Sequence, residues 1–188
     1  MNKMIVLIIV ILLSPIIGGL YGILHDQITY SISEEYYTKY KFYQFGIPDY
    51  FRDRFGVSIV GFSATWWMGL PIGIIIGLVG LMQENYKIMI RSTTRAFFIA
   101  ILIAILTPLI AVSIWFINLW YQQVSFEGYA FGMDAESLYG TVTNPFAFYV
   151  VGMIHNFSYL GGLLGLIGGV ITQLIIKRKN KPNVGDNF

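Results

Sequence analysis

Four long segments without a single Asp, Glu, Lys or Arg, at residues 4–24, 58–82, 96–120 and 147–176, constrain this chain more than anything else in it. At about 1.5 Å of rise per residue, each is long enough as a helix to cross a hydrocarbon core about 30 Å thick. A soluble globule carries about 25% charged residues; here 12% are charged, 56% are hydrophobic and the mean hydropathy is +0.66. The expected fold is an all-α membrane protein, a four-transmembrane-helix bundle forming one domain over residues 1–188. Lys3 followed by an apolar run also fits a cleaved signal peptide, but the run exceeds an ordinary signal core and no A-x-A-like site follows, so a retained helix is expected.

Charge outside these segments gives an orientation. Eight of the 12 basic residues (Lys3, Lys87, Arg91, Arg95, Lys177, Arg178, Lys179 and Lys181) fall at the end shared by the termini and the 83–95 loop. Lys39, Lys41, Arg52 and Arg54 lie at the other. The positive-inside rule then places both termini and the 177–188 tail in the cytoplasm, and loops 25–57 and 121–146 outside it. Most carboxylates fall in the outer loops, among them Asp49, Asp53, Glu127, Asp134 and Glu136. A net charge of +2 gives no reason to expect nucleic-acid binding. With no Cys, disulfides and thiolate metal sites are excluded.

Small residues recur four apart in every segment. They are Gly18 and Gly22 in the first, Gly69, Gly73 and Gly77 in the second, Ala96, Ala100 and Ala104 in the third, and Gly161, Gly165 and Gly169 in the fourth. Helices in lipid associate without a hydrophobic drive, so such stripes, which permit close backbone approach, predict the packing faces of a glycine-zipper bundle. Pro15, Pro71 and Pro108 lie within three of the segments. They predict kinks whose freed backbone groups neighbouring helices satisfy, with a gating hinge as the alternative.

Between the first two segments the chain turns polar and aromatic. Residues 27–33 alternate like a short strand; Ser31 or Ser33 can then cap a helix with Glu34 and Glu35 in its first turn, stopped by Gly46 and Pro48. Tyr36, Tyr40 and Tyr43 share one side of that helix, which predicts an aromatic belt at the membrane surface or docked on the span ends, with a ligand cage as the alternative. The 121–146 loop is long enough to fold over the first. Together the two loops predict a small extracytoplasmic cap.

The chain has no phosphate-binding Gly-rich loop, no G-x-S-x-G and no H-E-x-x-H, which weighs against catalysis. What remains is His25 and His155, each 21 residues from the cytoplasmic end of its segment and hence at one height, about 31 Å up. With Asp26, Glu34 and Glu35 as oxygen donors they could hold a divalent metal, and a haem between them is a remoter variant. The plainer reading makes both neutral anchors bonded to backbone, Asn156 or Tyr30.

The run H-D-Q-I-T-Y-S-I-S-E-E-Y-Y-T-K-Y-K-F-Y-Q-F-G, from His25 to Gly46, resembles a signature of a group of bacterial inner-membrane proteins of similar length and four-span layout, which carry proline where Glu34 stands here. The resemblance implies the fold and a bacterial inner (plasma) membrane location and brings no activity with it. Three functions follow. The leading one is a non-enzymatic tetraspan protein whose cap binds a membrane or extracytoplasmic protein partner, or a second copy. The alternatives are a small-solute or ion channel or transporter, and a metal-dependent membrane enzyme at the outer rim.

Overall fold

The computed structural model describes residues 2–122 and 142–180. Four long helices dominate: α1 (Lys3–Ile32), α2 (Arg54–Gly80), α3 (Tyr86–Gln122) and α4 (Pro145–Lys179). All four are long and apolar enough to cross a membrane, and no strand occurs among the described residues, so the chain is an integral membrane protein built as a four-helix bundle. The expected loop 121–146 lies outside the described residues except at its two ends, as does the tail beyond 180.

Each helix starts one to four residues before the apolar segment it contains, except α3, which starts ten before. The starts are set by capping side chains. Asn2, Asp53, Asn85 and Asn144 accept from the backbone N–H groups of Ile5, of Phe55 and Gly56, of Lys87 and Ile88, and of Ala147. The alternation at 27–33 does not make a strand: α1 runs on to Ile32. Gln27 there donates to the Arg54 carbonyl at 2.7 Å and to Ser58 Oγ at 3.0 Å, so α2 fixes this turn as helix against its local pattern.

The bundle is two antiparallel hairpins. In the first, Gly22 of α1 faces Gly61 of α2, Gly18 faces Thr65 and Gly69, Ser14 faces Gly69 and Gly73, and Leu7 faces Gly77. In the second, Ala96, Ala100 and Ala104 of α3 face Gly169, Gly165 and Gly161 of α4. A methyl added at Gly165 would stand 2.9 Å from the Ala100 Cα, and one at Gly18 would stand 3.1 Å from the Gly69 Cα, so the backbones themselves are in contact. All the small residues singled out in the sequence lie on these two seams, joined by Gly61 and Ser14, which the sequence reading passed over. Large side chains such as Leu12, Leu24 and Phe98 point outward, where lipid replaces water.

Two of the prolines leave carbonyls that other groups cover. Pro15 cannot bond Ile11 O, and Ser14 Oγ donates to that oxygen at 3.1 Å. Pro108 cannot bond Ala104 O, and the Tyr21 hydroxyl reaches it across the hairpins at 3.3 Å. At the end near the termini, Lys3 Nζ donates to the Leu81 and Gln83 carbonyls at 2.9 and 3.0 Å. Gln83 Nε2 donates to Gln173 O at 3.0 Å, and Gln173 Nε2 to Thr93 Oγ1 at 3.2 Å.

The opposite end is closed by residues 34–44. Ser33 caps this helix by accepting from Tyr36 N–H, as the sequence suggests, and Gly46 ends it at φ 61°. Its middle, Tyr37–Lys41, is one π-helical turn. The aromatic run docks on the span ends, with part of it in the core, while Tyr43 stays exposed. Tyr36, Tyr37 and Phe42 are 4%, 0% and 0% exposed and pack with Ile47, Val57, Val60, Phe148 and Val151.

Candidate metal centre

Two neighbouring residues of α1 and one of α4 meet directly beneath this cap. His25 and His155 lie edge to face with ring centroids 4.8 Å apart, in line with their expected common height. Asp26 stands between them: its Oδ1 is 2.9 Å from His25 Nδ1 and 3.2 Å from His155 Nε2. All three side chains are buried or nearly so, with Asp26 only 3% exposed.

Helical spacing supplies the groups around them. Ser158, one turn beyond His155, has its Oγ 3.0 Å from His25 Nε2. Thr29, one turn beyond His25, pairs its hydroxyl with the Tyr37 hydroxyl at 2.7 Å. Tyr37 also donates to the Asp26 carbonyl at 3.2 Å and stands 3.5 Å from His155 Nε2. The π-helical turn begins at Tyr37, and both Tyr36 and Tyr37 face inward, the Tyr36 ring lying 5.0 Å from that of His155. Burial pushes both phenols above their usual pKa, so each is a neutral hydroxyl.

The bonds fix where protons sit. His155 Nδ1 is 2.9 Å from the Val151 carbonyl, which only accepts, so Nδ1 carries the hydrogen. Neutral His155 therefore turns the lone pair of Nε2 toward a carboxylate oxygen at 3.2 Å. Two lone pairs at that distance repel unless a cation lies between them, either a proton on Nε2 or a metal ion. Asp26 Oδ2 is buried without any partner.

The donor set suits a metal. The three ligand atoms lie within 4.8 Å of one another. Donors 2.0–2.1 Å from a tetrahedral ion are about 3.4 Å apart, close to the Asp26–His155 spacing of 3.2 Å, and the wider spread of the three means that the rings must draw in to ligate one ion. His155 Nδ1 on a carbonyl and His25 Nε2 on a hydroxyl are the outer contacts that orient ligating imidazoles.

Glu34 and Glu35 do not join them, which corrects that part of the expected ligand set. Glu34 is exposed, and Glu35 turns to the start of α4, where its carboxylate accepts from Thr143 N–H at 2.9 Å and Asn144 N–H at 2.8 Å. Partial burial raises the Glu35 pKa, but these two amides outweigh it and hold the carboxyl below its usual range. Asn156 is exposed and does not serve as the histidine anchor that the plainer reading named. Lys41 is buried above the cluster among the rings of Tyr36, Tyr40 and Phe45, donating to Gln44 Oε1 at 2.9 Å; burial pushes its amine below the usual value. Sequence reasoning missed Tyr21, Thr29, Tyr37 and Ser158, although all but Tyr37 sit one helical turn from a histidine.

Below the cluster a cavity of about 90 Å³ opens between the two hairpins. All four helices line it, with Ile17, Met68, Ile72, Phe97 and Ile101 along its walls and His25, Asp26, His155 and Ser158 at one end. Comparisons with protein-family models, curated proteins and solved structures found no match to this chain.

Proposed function

We propose that the protein works through the His25–Asp26–His155 centre, holding one divalent cation of the zinc class for metal-dependent chemistry at the membrane rim. The observation that carries this is the 3.2 Å approach of His155 Nε2 to Asp26 Oδ1 while His155 Nδ1 is committed to Val151. Three protein donors leave a fourth coordination position open, the layout of catalytic rather than structural zinc, where the ion supplies a water whose pKa falls to about 7. Elemental analysis of the purified full chain tests it. About one zinc-class ion per chain, lost in His155→Ala and Asp26→Asn, supports the reading. A metal-free protein that cannot be loaded overturns it and leaves a proton on His155 Nε2.

The bundle end bearing this centre is assigned to the extracytoplasmic face of a bacterial inner membrane, with both termini cytoplasmic, on the support of the basic residues near the termini. A C-terminal reporter active only outside the cytoplasm should be silent.

A second reading keeps the non-enzymatic role, in which the cap binds a membrane or extracytoplasmic protein partner or a second copy. It is favoured by the exposed aromatic group Tyr50, Phe51 and Phe55, with ring centroids 4.5 and 5.1 Å apart on the cap. Loss of a co-purifying partner or of a dimer in Tyr50→Ser would support it. The channel or transporter reading has less support, because the cavity walls below the cluster are mainly apolar.

A further inference from the structure

We propose that the cavity between the hairpins binds one hydrocarbon chain of a membrane lipid, with the polar head of that lipid at the His25–Asp26–His155 centre. This names the substrate class of that centre and rests on reading it as the functional site.

Shape is the first argument. The lining runs from Ser14 to Asp26 on α1, about 18 Å along the helix axis, and over about 10–12 Å on the other three. A volume of about 90 Å³ is well above the 10–15 Å³ that one water needs, yet spread over that length it is a narrow slot. A slot of these proportions takes a linear chain and excludes a compact ring system.

Chemistry is the second. The walls offer Ile17, Met68, Ile72, Phe97 and Ile101, and an apolar cavity of this kind stays dry unless an apolar ligand fills it. Polarity is confined mainly to one end, where the buried Asp26 Oδ2 lacks a partner and Ser158 lies beside His25. An unpartnered carboxylate oxygen costs stability, and a hydroxyl or amine on a lipid head removes that cost.

Access is the third. Ile17, Met68, Ile72 and Phe97 are only half-buried, so the slot reaches the surface of the bundle between the hairpins, where the surrounding medium is lipid. The seams within each hairpin are closed by backbone contact, which leaves the junction between them as the route in.

The test uses the full chain in phosphatidylcholine vesicles with a photoactivatable long-chain alcohol, whose head is the hydroxyl that Asp26 Oδ2 calls for, and reads crosslinked residues and metal content separately. The expected result is saturable labelling of Met68, Ile72, Phe97 or Ile101 that the plain long-chain alcohol competes away. Gly162→Leu, whose Cβ meets only the flexible Met68 end and whose side chain starts at the cavity wall, should abolish that labelling and leave the ion in place. Ile101→Trp plugs the slot from α3, the other helix of the same hairpin, and replaces the first variant if it fails to fold. Labelling confined to outward residues such as Leu12 and Phe98, unchanged by either plug, overturns the chain site without touching the metal reading. Cavity labelling in a protein that holds no metal supports the chain site and fails the metal reading alone.

Discussion

The Tyr21 hydroxyl donates to the Ala104 carbonyl at 3.3 Å, and that oxygen is the one Pro108 leaves without its helical partner. A side chain of the first hairpin thus completes the backbone of the second. Removing the hydroxyl in Tyr21→Phe should cost about 0.5–1.5 kcal/mol of stability in detergent or bicelles. In Pro108→Ala the restored N–H covers Ala104 O itself, so Tyr21→Phe should then cost clearly less. An equal penalty in both backgrounds would show that the hydroxyl serves some other group.

Packing along the α3–α4 seam gives a sharper contrast. A methyl at Gly165 must push against the Ala100 backbone, and overpacking of this kind costs about 1–3 kcal/mol. Gly165→Ala, and more severely Gly165→Leu or Gly73→Leu, should lower the unfolding midpoint. Leu78 is 51% exposed on the outer face of α2, and Leu78→Ala should change it little. Similar losses for Leu78→Ala and Gly165→Ala would remove the seam as the source of packing energy.

For the metal centre, the bond between Ser158 Oγ and His25 Nε2 predicts a graded effect. Ser158→Ala keeps all three donors but releases the ring that it orients, and losses of about 10–100-fold in affinity are usual for such contacts. Titration with a competing chelator should show weaker zinc binding at unchanged stoichiometry. Glu34→Gln and Glu35→Gln should leave both quantities as they are.

Glu35 supplies a pH-dependent contact between the cap and the start of α4. Its folded pKa is depressed, so the stabilisation is present above the unfolded value of about 4.3 and is lost as pH falls through the folded value. The amide resonances of Thr143 and Asn144 should therefore move together with a midpoint below about 4.3. They should not move in Glu35→Gln, and a midpoint above that value would contradict the bonds.

The four apolar segments and their small-residue stripes were legible because lipid imposes length and close packing directly on sequence. The equal height of His25 and His155 followed from the same fixed rise per residue. The helix ends were harder to read, since hydropathy marks where lipid begins, whereas Asn2, Asp53, Asn85 and Asn144 mark where backbone N–H groups first need acceptors. The stretch 27–33 misled because its alternation is local, and the bonds that make it helical come from α2. Glu34 and Glu35 looked like ligands by proximity in sequence; the turn after Ser33 carries Glu35 toward Thr143 and leaves Glu34 exposed. Tyr37 was invisible as a site residue, because its inward direction depends on a π-helical turn that has no periodic signature.

The division into two hairpins bears on how such a molecule is made. Each hairpin can close on its own seam as soon as its second helix is inserted, so the first half of the chain reaches the membrane complete except for its partner. In that state Asp26 has His25 beside it but neither His155 nor Ser158, and a carboxylate at this depth without them is costly. The half-built protein thus carries a carboxylate with one of its two imidazole partners until the second hairpin docks. The centre is complete only in the assembled bundle, so an unfinished chain cannot present a working site.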